Sequence, residues 1–222
     1  MRLSLRAIQL CQMKFGKGRF YGFEQMDEAD LEHISEEDAK QDFNELIQNG
    51  IIDTSNDSIH ISALGQHIFN MMLEPEQYII LDNKASNVCI RVYIRNTYYL
   101  CIIENKKVKT DYDYDRYILE LLPTLELVIG AFTYALQDND VKQTQQDIRI
   151  EGKAWKKDRK NCSEIEICGK YENEKIYGQI VEQKEDAENR KSEFESEISE
   201  LINQLTVWMF GNILAMNEKE GD

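Results

Sequence analysis

The side chains in this sequence of 222 residues that could carry out chemistry do not follow a recognisable catalytic or metal-binding pattern. The three histidines, His33, His60 and His67, are not spaced from a cysteine in the way that metal ligands are. Cys162 and Cys168 are separated by five residues without a second such pair, which is not a zinc signature. The sequence therefore predicts no metal site and no cofactor.

Acidic residues occur in short patterns that also indicate no reaction. Asp111, Asp113 and Asp115 alternate with tyrosines, but the run lacks the glycine and distal glutamate of a calcium-binding loop, so we interpret it as the polar start of a helix. Glu164 and Glu166 alternate as residues on the exposed face of a strand do. No GxSxG, P-loop, GxGxxG or HExxH motif occurs. We predict that the protein is not an enzyme, with a site assembled from scattered carboxylates as the alternative.

Residues 35–73 predict the unit around which the chain is organised. Ser35 can cap a helix, because its hydroxyl can accept a hydrogen bond from an unpaired amide of the first turn. Gly50 can end that helix in the left-handed conformation. A short hairpin follows, and Ser62 opens a second helix that Pro75 ends. Helix, hairpin and helix in this order are typical of a winged-helix module.

The charge of this unit opposes binding to DNA. Residues 24–57 contain twelve Asp or Glu and one Lys. DNA reading needs Arg, Lys, Asn or Gln on the recognition helix, and phosphates need cations. The first predicted helix instead carries five acidic residues: Glu36, Glu37, Asp38, Asp42 and Glu45. The whole chain has a net charge of −15, so we expect a protein partner and no nucleic acid or anionic membrane.

Beyond residue 76 the pattern predicts two antiparallel meanders, each followed by a helix. The first has strands at 79–81, 88–94, 97–104 and 108–112, and a helix over 115–137. The second covers 146–181 and precedes one long helix over 185–216. Both meanders lie in one sheet or in two abutting sheets, with the long helices on one face and the N-terminal elements capping one end.

The central hairpin has a predicted register. Placing Ile90 opposite Leu100 gives a core face of apolar residues and sets Cys89 opposite Cys101. Those two cysteines are small hydrophobes on neighbouring strands or, as the alternative, a redox pair.

These elements predict an α+β fold, with antiparallel β meanders packed by long helices and an N-terminal winged-helix-like module. We divide the chain into a winged-helix-like module (1–76), the first meander with its helix (77–140), and the second meander with the C-terminal helix (141–222). Residues 77–222 are expected to form one domain.

The sequence also predicts where the protein resides. It contains no run of 18 apolar residues and no N-terminal signal peptide, so we expect neither a membrane span nor secretion. Five cysteines without close pairing fit a reducing compartment. A cytoplasmic location follows as the expectation.

The apolar end of the last predicted helix holds the candidate partner-binding residues. They are Trp208, Met209, Phe210 and Leu214. An apolar stripe of this kind must be covered, either by the second meander, by a second copy in a homodimer, or by another protein.

Several stretches resemble a known family in their order and pattern. They are LSLRAIQLCQ, FNELIQNGIID, ISALGQHIF, IRVYIRNTYYLCIIE and YILELLPTLELVIGAF. Together they are similar to EspG-like proteins associated with type VII (ESX) secretion, including relatives beside Firmicutes secretion loci. The resemblance implies a cytosolic chaperone that binds secretion substrates through sheet and loop surfaces, and it implies no catalytic residue. This chain is smaller and has no recognisable substrate-binding loop.

The leading hypothesis is a non-enzymatic cytosolic protein-binding factor, with a small helical secretion substrate as its candidate partner. The alternative is a winged-helix transcriptional regulator that binds DNA through a basic surface formed in a dimer. A small-molecule sensor or enzyme is a third hypothesis, which requires a closed polar pocket between sheet and helices.

Overall fold

The computed structural model has mixed helix and strand with antiparallel sheets, which confirms the predicted α+β class. The described residues are 2–15, 18, 20–21, 34–55, 58–83, 88–96, 98–105, 116–122, 130, 147–156, 163–172, 175–184 and 187–217. The helices are α1 (Leu5–Phe15), α2 (Glu36–Gln48), α3 (Ala63–Leu73) and α4 (Ile198–Asn217). The strands are β1 (Arg2–Ser4), β2 (Ile52–Ser55), β3 (Ser58–Ile61), β4 (Gln77–Asn83), β5 (Val88–Arg95), β6 (Tyr98–Asn105), β7 (Arg116–Leu122), β8 (Asp147–Lys156), β9 (Ser163–Glu172), β10 (Lys175–Lys184) and β11 (Ala187–Ser196).

Nine of these strands form one sheet in the order β1-β7-β6-β5-β4-β8-β9-β10-β11. The two predicted meanders are therefore parts of a single sheet, joined where β4 pairs with β8 and Tyr78 lies opposite Trp155. β1 adds the N-terminus of the chain to this sheet by pairing with β7. β2 and β3 form a separate hairpin.

The elements predicted over 35–73 are present at the expected positions. The Ser35 hydroxyl accepts from the Asp38 amide at 3.1 Å, Gly50 has a φ of 68°, and the Ser62 hydroxyl accepts from the Gly65 amide at 2.9 Å. These caps confirm the order helix, hairpin, helix. That the unit is a winged helix stays a prediction.

The register predicted for the central hairpin is wrong. Ile90 lies opposite Ile103, Cys89 opposite Glu104, and Cys101 opposite Val92. Arg95 pairs with Tyr98 and Asn96 has a φ of 51°, so a tight connection sets the pairing. Because the shift is by an odd number of residues, Cys89 and Cys101 lie on opposite faces of the sheet, which excludes the redox pair.

The helix predicted over 115–137 is wrong at its start. Residues 116–122 form β7, where Ile118 lies opposite Ile103 of β6 and Arg2 of β1. The apolar residues of this stretch fit helical spacing, but short apolar runs do not separate helix from buried strand. Most of the predicted helix, and the strand predicted at 108–112, lie outside the described residues.

The long helix predicted over 185–216 is also wrong in its first third. Residues 187–196 form β11, which pairs with β10 from Ala187 to Ser196, and α4 begins at Ile198. Charges of both signs along β11 suit the edge of a sheet, where side chains remain in water. The second meander therefore has four strands before its helix.

The sheet separates two hydrophobic cores. One core joins α4 to one face, where Val92, Ile167 and Met209 are buried. The other joins α1, α2 and α3 to the opposite face, where Tyr93 and Leu100 are buried. The N-terminal elements thus cover a face of the sheet and do not cap one end.

Helix α2 offers a test of the predicted N-cap. The Ser35 hydroxyl donates to the Asp38 carboxylate at 2.7 Å, and this hydrogen bond is the main cause that lowers the pKa of Asp38. We expect Ser35→Ala to raise that pKa toward its ordinary value. Since a lowered pKa in the folded state gives stability that is lost as the pH falls through it, the variant should lose less stability on acidification.

NMR titration of Asp38 and urea unfolding at neutral and acidic pH measure both effects. Loss of the cap itself should lower the free energy of unfolding by about 1 kcal/mol at neutral pH. Ser35→Thr keeps a hydroxyl and serves as the control. A pKa of Asp38 that is the same in the alanine variant and in the native protein would refute the assignment.

Candidate functional site

An open groove of about 820 Å³ lies between α4 and the strands β9, β10 and β11. We call it the α4 groove. Its floor is apolar and consists of Ile165, Ile180, Phe194 and the ring of Trp208. Ile180 is 8% exposed and Phe194 is half-buried, so the floor is formed by the sheet's own core residues where they come to the surface.

The wall of the α4 groove is one stripe of the helix. Its residues recur every three or four positions, so they share a face: Asn203, Gln204, Val207, Trp208, Gly211 and Asn212. Val207 is 71% exposed, more than any other large apolar side chain in the described part of the chain. A Cβ added at Gly211 would meet no atom within 4 Å, which shows that the groove is open at this point.

Trp208 holds the helix on the sheet at the bottom of the groove. It is 7% exposed, and its indole N–H donates to the Ser163 hydroxyl at 3.2 Å. Its ring lies over Gly152, where a Cβ would come within 3.0 Å of the ring and within 2.7 Å of the Ile165 methyl group. The glycine therefore makes the room that the indole occupies.

The four predicted partner-binding residues have different surroundings. Trp208 forms part of the groove floor, Met209 is fully buried in the core, and Phe210 is half-buried. The side chain of Leu214 lies outside the described residues. The sequence analysis missed Val207, although a valine among Asn203, Gln204 and Gly211 is a signal for an apolar position on an exposed stripe.

The groove has an acidic border. Glu182 and Glu193 line it, and the chain as a whole carries a net charge of −15. Arg190 lies opposite Glu182 in the β10–β11 register and shares its face of the sheet, whereas the side chain of Glu193 alternates to the other face of the edge strand β11. A ligand of this groove meets an apolar floor, amide side chains and the Glu182 carboxylate.

The other face of the outer strands carries paired charges. Arg149 contacts Glu151 at 3.0 Å and Glu166 at 3.3 Å, and Lys153 contacts Glu164 at 2.9 Å. These groups satisfy one another at a partly exposed surface, where such pairs contribute little stability. The exposed Cys168 beside them has a raised pKa, caused by partial burial and by the Glu166 carboxylate, so it is not an activated thiol.

The two described histidines, His60 and His67, do not form a site. His60 is exposed on β3 and contacts the Ser58 hydroxyl, while His67 is half-buried on α3 and lies edge-on to Tyr98 at 4.9 Å. His33 lies outside the described residues. Within the described ranges no group of three or more His, Cys, Asp or Glu side chains could hold a metal ion.

The acidic residues of α2 serve two different purposes. Asp42 is buried and accepts from the Ser4 hydroxyl at 2.9 Å and from the Arg6 guanidinium. Glu45 accepts from the Ser4 amide at 3.1 Å. These carboxylates attach the N-terminus of the chain to α2. Glu36 and Glu37, in the first turn of α2, instead face solvent.

The buried pair of Arg6 and Asp42 gives a stability prediction. Arg6→Met leaves the carboxylate buried without its cation, so we expect a loss of about 3–5 kcal/mol in the free energy of unfolding. Adding Asp42→Leu should recover most of it, because no uncompensated charge then remains. Urea unfolding measures both changes.

The matched control is Lys40→Met, which removes the exposed ion pair with Glu36 at 2.8 Å. It should change stability by less than about 0.5 kcal/mol. Equal losses for Arg6→Met and Lys40→Met would show that the buried pair has no special role.

Two glycines on either side of Trp208 should respond in opposite ways to the same change. Gly152→Ala inserts a methyl group against the Trp208 ring and should cost about 1–3 kcal/mol through overpacking. Gly211→Ala meets open space inside a helix and should stabilise by about 0.5–1 kcal/mol. Thermal unfolding of the two variants measures the difference. Similar melting temperatures for both would contradict the packing described here.

Comparisons with known proteins add no family. No protein-family model matches the chain, and no curated protein matches it. The resemblance to EspG-like proteins stays a prediction. Among the described residues, no helix is both long enough and apolar enough to cross a membrane.

Proposed function

We propose that the chain is a non-enzymatic protein-binding factor, and that the α4 groove takes an apolar segment of a partner protein. The observation that carries this proposal is the open apolar floor beside the 71% exposed Val207. Apolar surface of this kind, set in a polar rim, is characteristic of a protein-interaction site.

The shape of the groove favours a protein segment over a small molecule. Sites for small molecules enclose most of their ligand. The α4 groove is open along one helix face, with Asn203 at one end of the stripe and Asn212 at the other. An amphipathic helix laid along such a groove contacts it through residues spaced three and four apart.

The charge of the groove narrows the class of partner. Glu182 at its border, on a chain of net charge −15, favours a segment whose apolar stripe is flanked by Lys or Arg. A small helical secretion substrate, as the resemblance implies, is our candidate source of that segment. The cytoplasmic setting belongs to this same proposal.

The alternative of DNA binding receives less support. Helix α2, which a winged-helix protein would place in the major groove, begins with Glu36 and Glu37 in solvent. Each carboxylate there would face phosphates without a compensating cation. A gel-shift experiment at low salt that gave a sequence-dependent complex would return this alternative to first place.

The test is a substitution at Gly211 that fills the α4 groove. Gly211→Trp places a bulky ring where an added Cβ meets no atom, so it should block the groove while the fold is kept. We expect the tagged native protein, in its own host, to retain a small helical protein that this variant loses by at least about tenfold. Mass spectrometry of the eluates measures the loss.

Gly211→Ala is the matched control, because it changes the same position without filling the groove. It should retain the same protein as the native chain. Thermal unfolding checks that both variants are folded. If the tryptophan variant retains the same proteins in the same amounts, the α4 groove is not the binding site.

A further inference from the structure

The sheet has two edges of very different length. β1 is an edge of three residues, and its Ser4 amide already donates to Glu45 at 3.1 Å. β11 is an edge of ten residues that, among the described strands, pairs only with β10. On its other side, alternate residues direct their backbone N–H and C=O groups away from the sheet. A further strand can add there.

The charges in the central part of β11 are ordered. Glu188 lies near the start of the strand, and Arg190 and Lys191 then precede Glu193 and Glu195, with Ser192 between the two pairs. Charged edges usually discourage pairing between sheets. This central order behaves differently, because an antiparallel copy of the same strand centred on Ser192 would bring Lys191 opposite Glu193 and Glu188 opposite the uncharged Ser196.

We infer that β11 pairs antiparallel with β11 of a second copy, centred on Ser192. In this register Lys191 lies opposite Glu193 of the other copy, and by symmetry the pair occurs twice. The diagonal neighbours of Lys191 are then Glu195 and Lys191 of the other copy, both farther away than the directly opposite Glu193. A shift of two residues in either direction would set Lys191 opposite Lys191 or Glu193 opposite Glu193, which is unfavourable.

Symmetry and the available charges both favour this register. A shift by an odd number of residues would set Arg190 opposite Glu195, which lie on opposite faces of β11, whereas residues directly opposite in a symmetric antiparallel ladder point to the same side. Lys191 and Glu193 are both exposed, and neither is in an ion pair within the described part of the chain. Glu195, which a shift of two residues would set opposite Lys191, already contacts Lys175 of its own chain at 2.5 Å.

The inferred pairing has a structural consequence. Residues directly opposite in an antiparallel ladder point to the same side, so the two-fold axis is perpendicular to the sheet. Phe194 of each copy lies on the groove face of β11, opposite Arg190 of the other copy. Both α4 grooves therefore open on the same side of a continuous sheet, on either side of the axis.

A charge swap tests the pairing, and the molecular mass of the protein in solution is the quantity measured. In sedimentation equilibrium the native protein should have twice the 26.0 kDa mass of one chain. Lys191→Glu and Glu193→Lys each place like charges opposite each other at two sites, and each should weaken the dimer by about tenfold or more. The double variant restores both pairs and should restore the dimer.

Lys170→Glu, the same change on the interior strand β9, is the control and should remain dimeric.

Cysteine cross-linking tests the register independently, in a background of Cys162→Ser and Cys168→Ser. Ser192→Cys should form a disulfide-linked dimer on mild oxidation, whereas Asn189→Cys, opposite Glu195, should not. A monomeric native protein, dimeric single variants, or a double variant that stays monomeric would overturn the inference. Loss of partner binding in Gly211→Trp is a separate outcome, because that residue lies on α4.

Discussion

The structure depends on a difference in burial along the sheet, because one half has both faces covered and the other half has only one face covered. In the half formed by β4, β5 and β6, both faces are covered: Val92 and the neighbouring Tyr93 are each 1% exposed or less. In the half formed by β8 to β11, α4 covers one face, and the other carries ion pairs such as that of Lys153 with Glu164. Among the described residues, the outer half is therefore the part of the sheet that keeps a solvent-facing surface.

Polar contacts are buried between the N-terminal elements and the doubly covered half of the sheet. The Tyr93 hydroxyl donates to the Tyr21 carbonyl at 2.6 Å, and Arg91 contacts Glu104 at 2.7 Å in the same buried layer. Burial raises the pKa of Tyr93 well above its ordinary value, so the phenol stays neutral and remains a donor. The ion pair of Arg6 on α1 with Asp42 on α2 shows that acidic residues of the N-terminal unit serve structure as well as solubility.

The candidate site joins features that differ in how far the sequence predicts them. Helical spacing was enough to select Trp208 as an apolar contact of the last helix. The residue that makes room for it, Gly152, lies 56 positions earlier in the chain, and no local pattern connects the two. The groove also needs Phe194, which the sequence placed in a helix and the structure places on β11. Binding surfaces of this type arise from contacts between elements. The sequence can therefore indicate individual residues of the surface but not how those residues come together.

The sequence by itself determined the features that local chemistry controls. The caps at Ser35, Gly50 and Ser62 depend on hydrogen bonds or φ angles within one turn, and the strands around the central hairpin depend on alternation within a few residues. Only the tertiary structure decided the identity of 116–122 and 187–196, because apolar or charged runs of that length suit either helix or strand until a neighbouring strand supplies hydrogen-bond partners. It likewise decided which face each helix covers, since a shift of one residue in register exchanges the two faces of a strand.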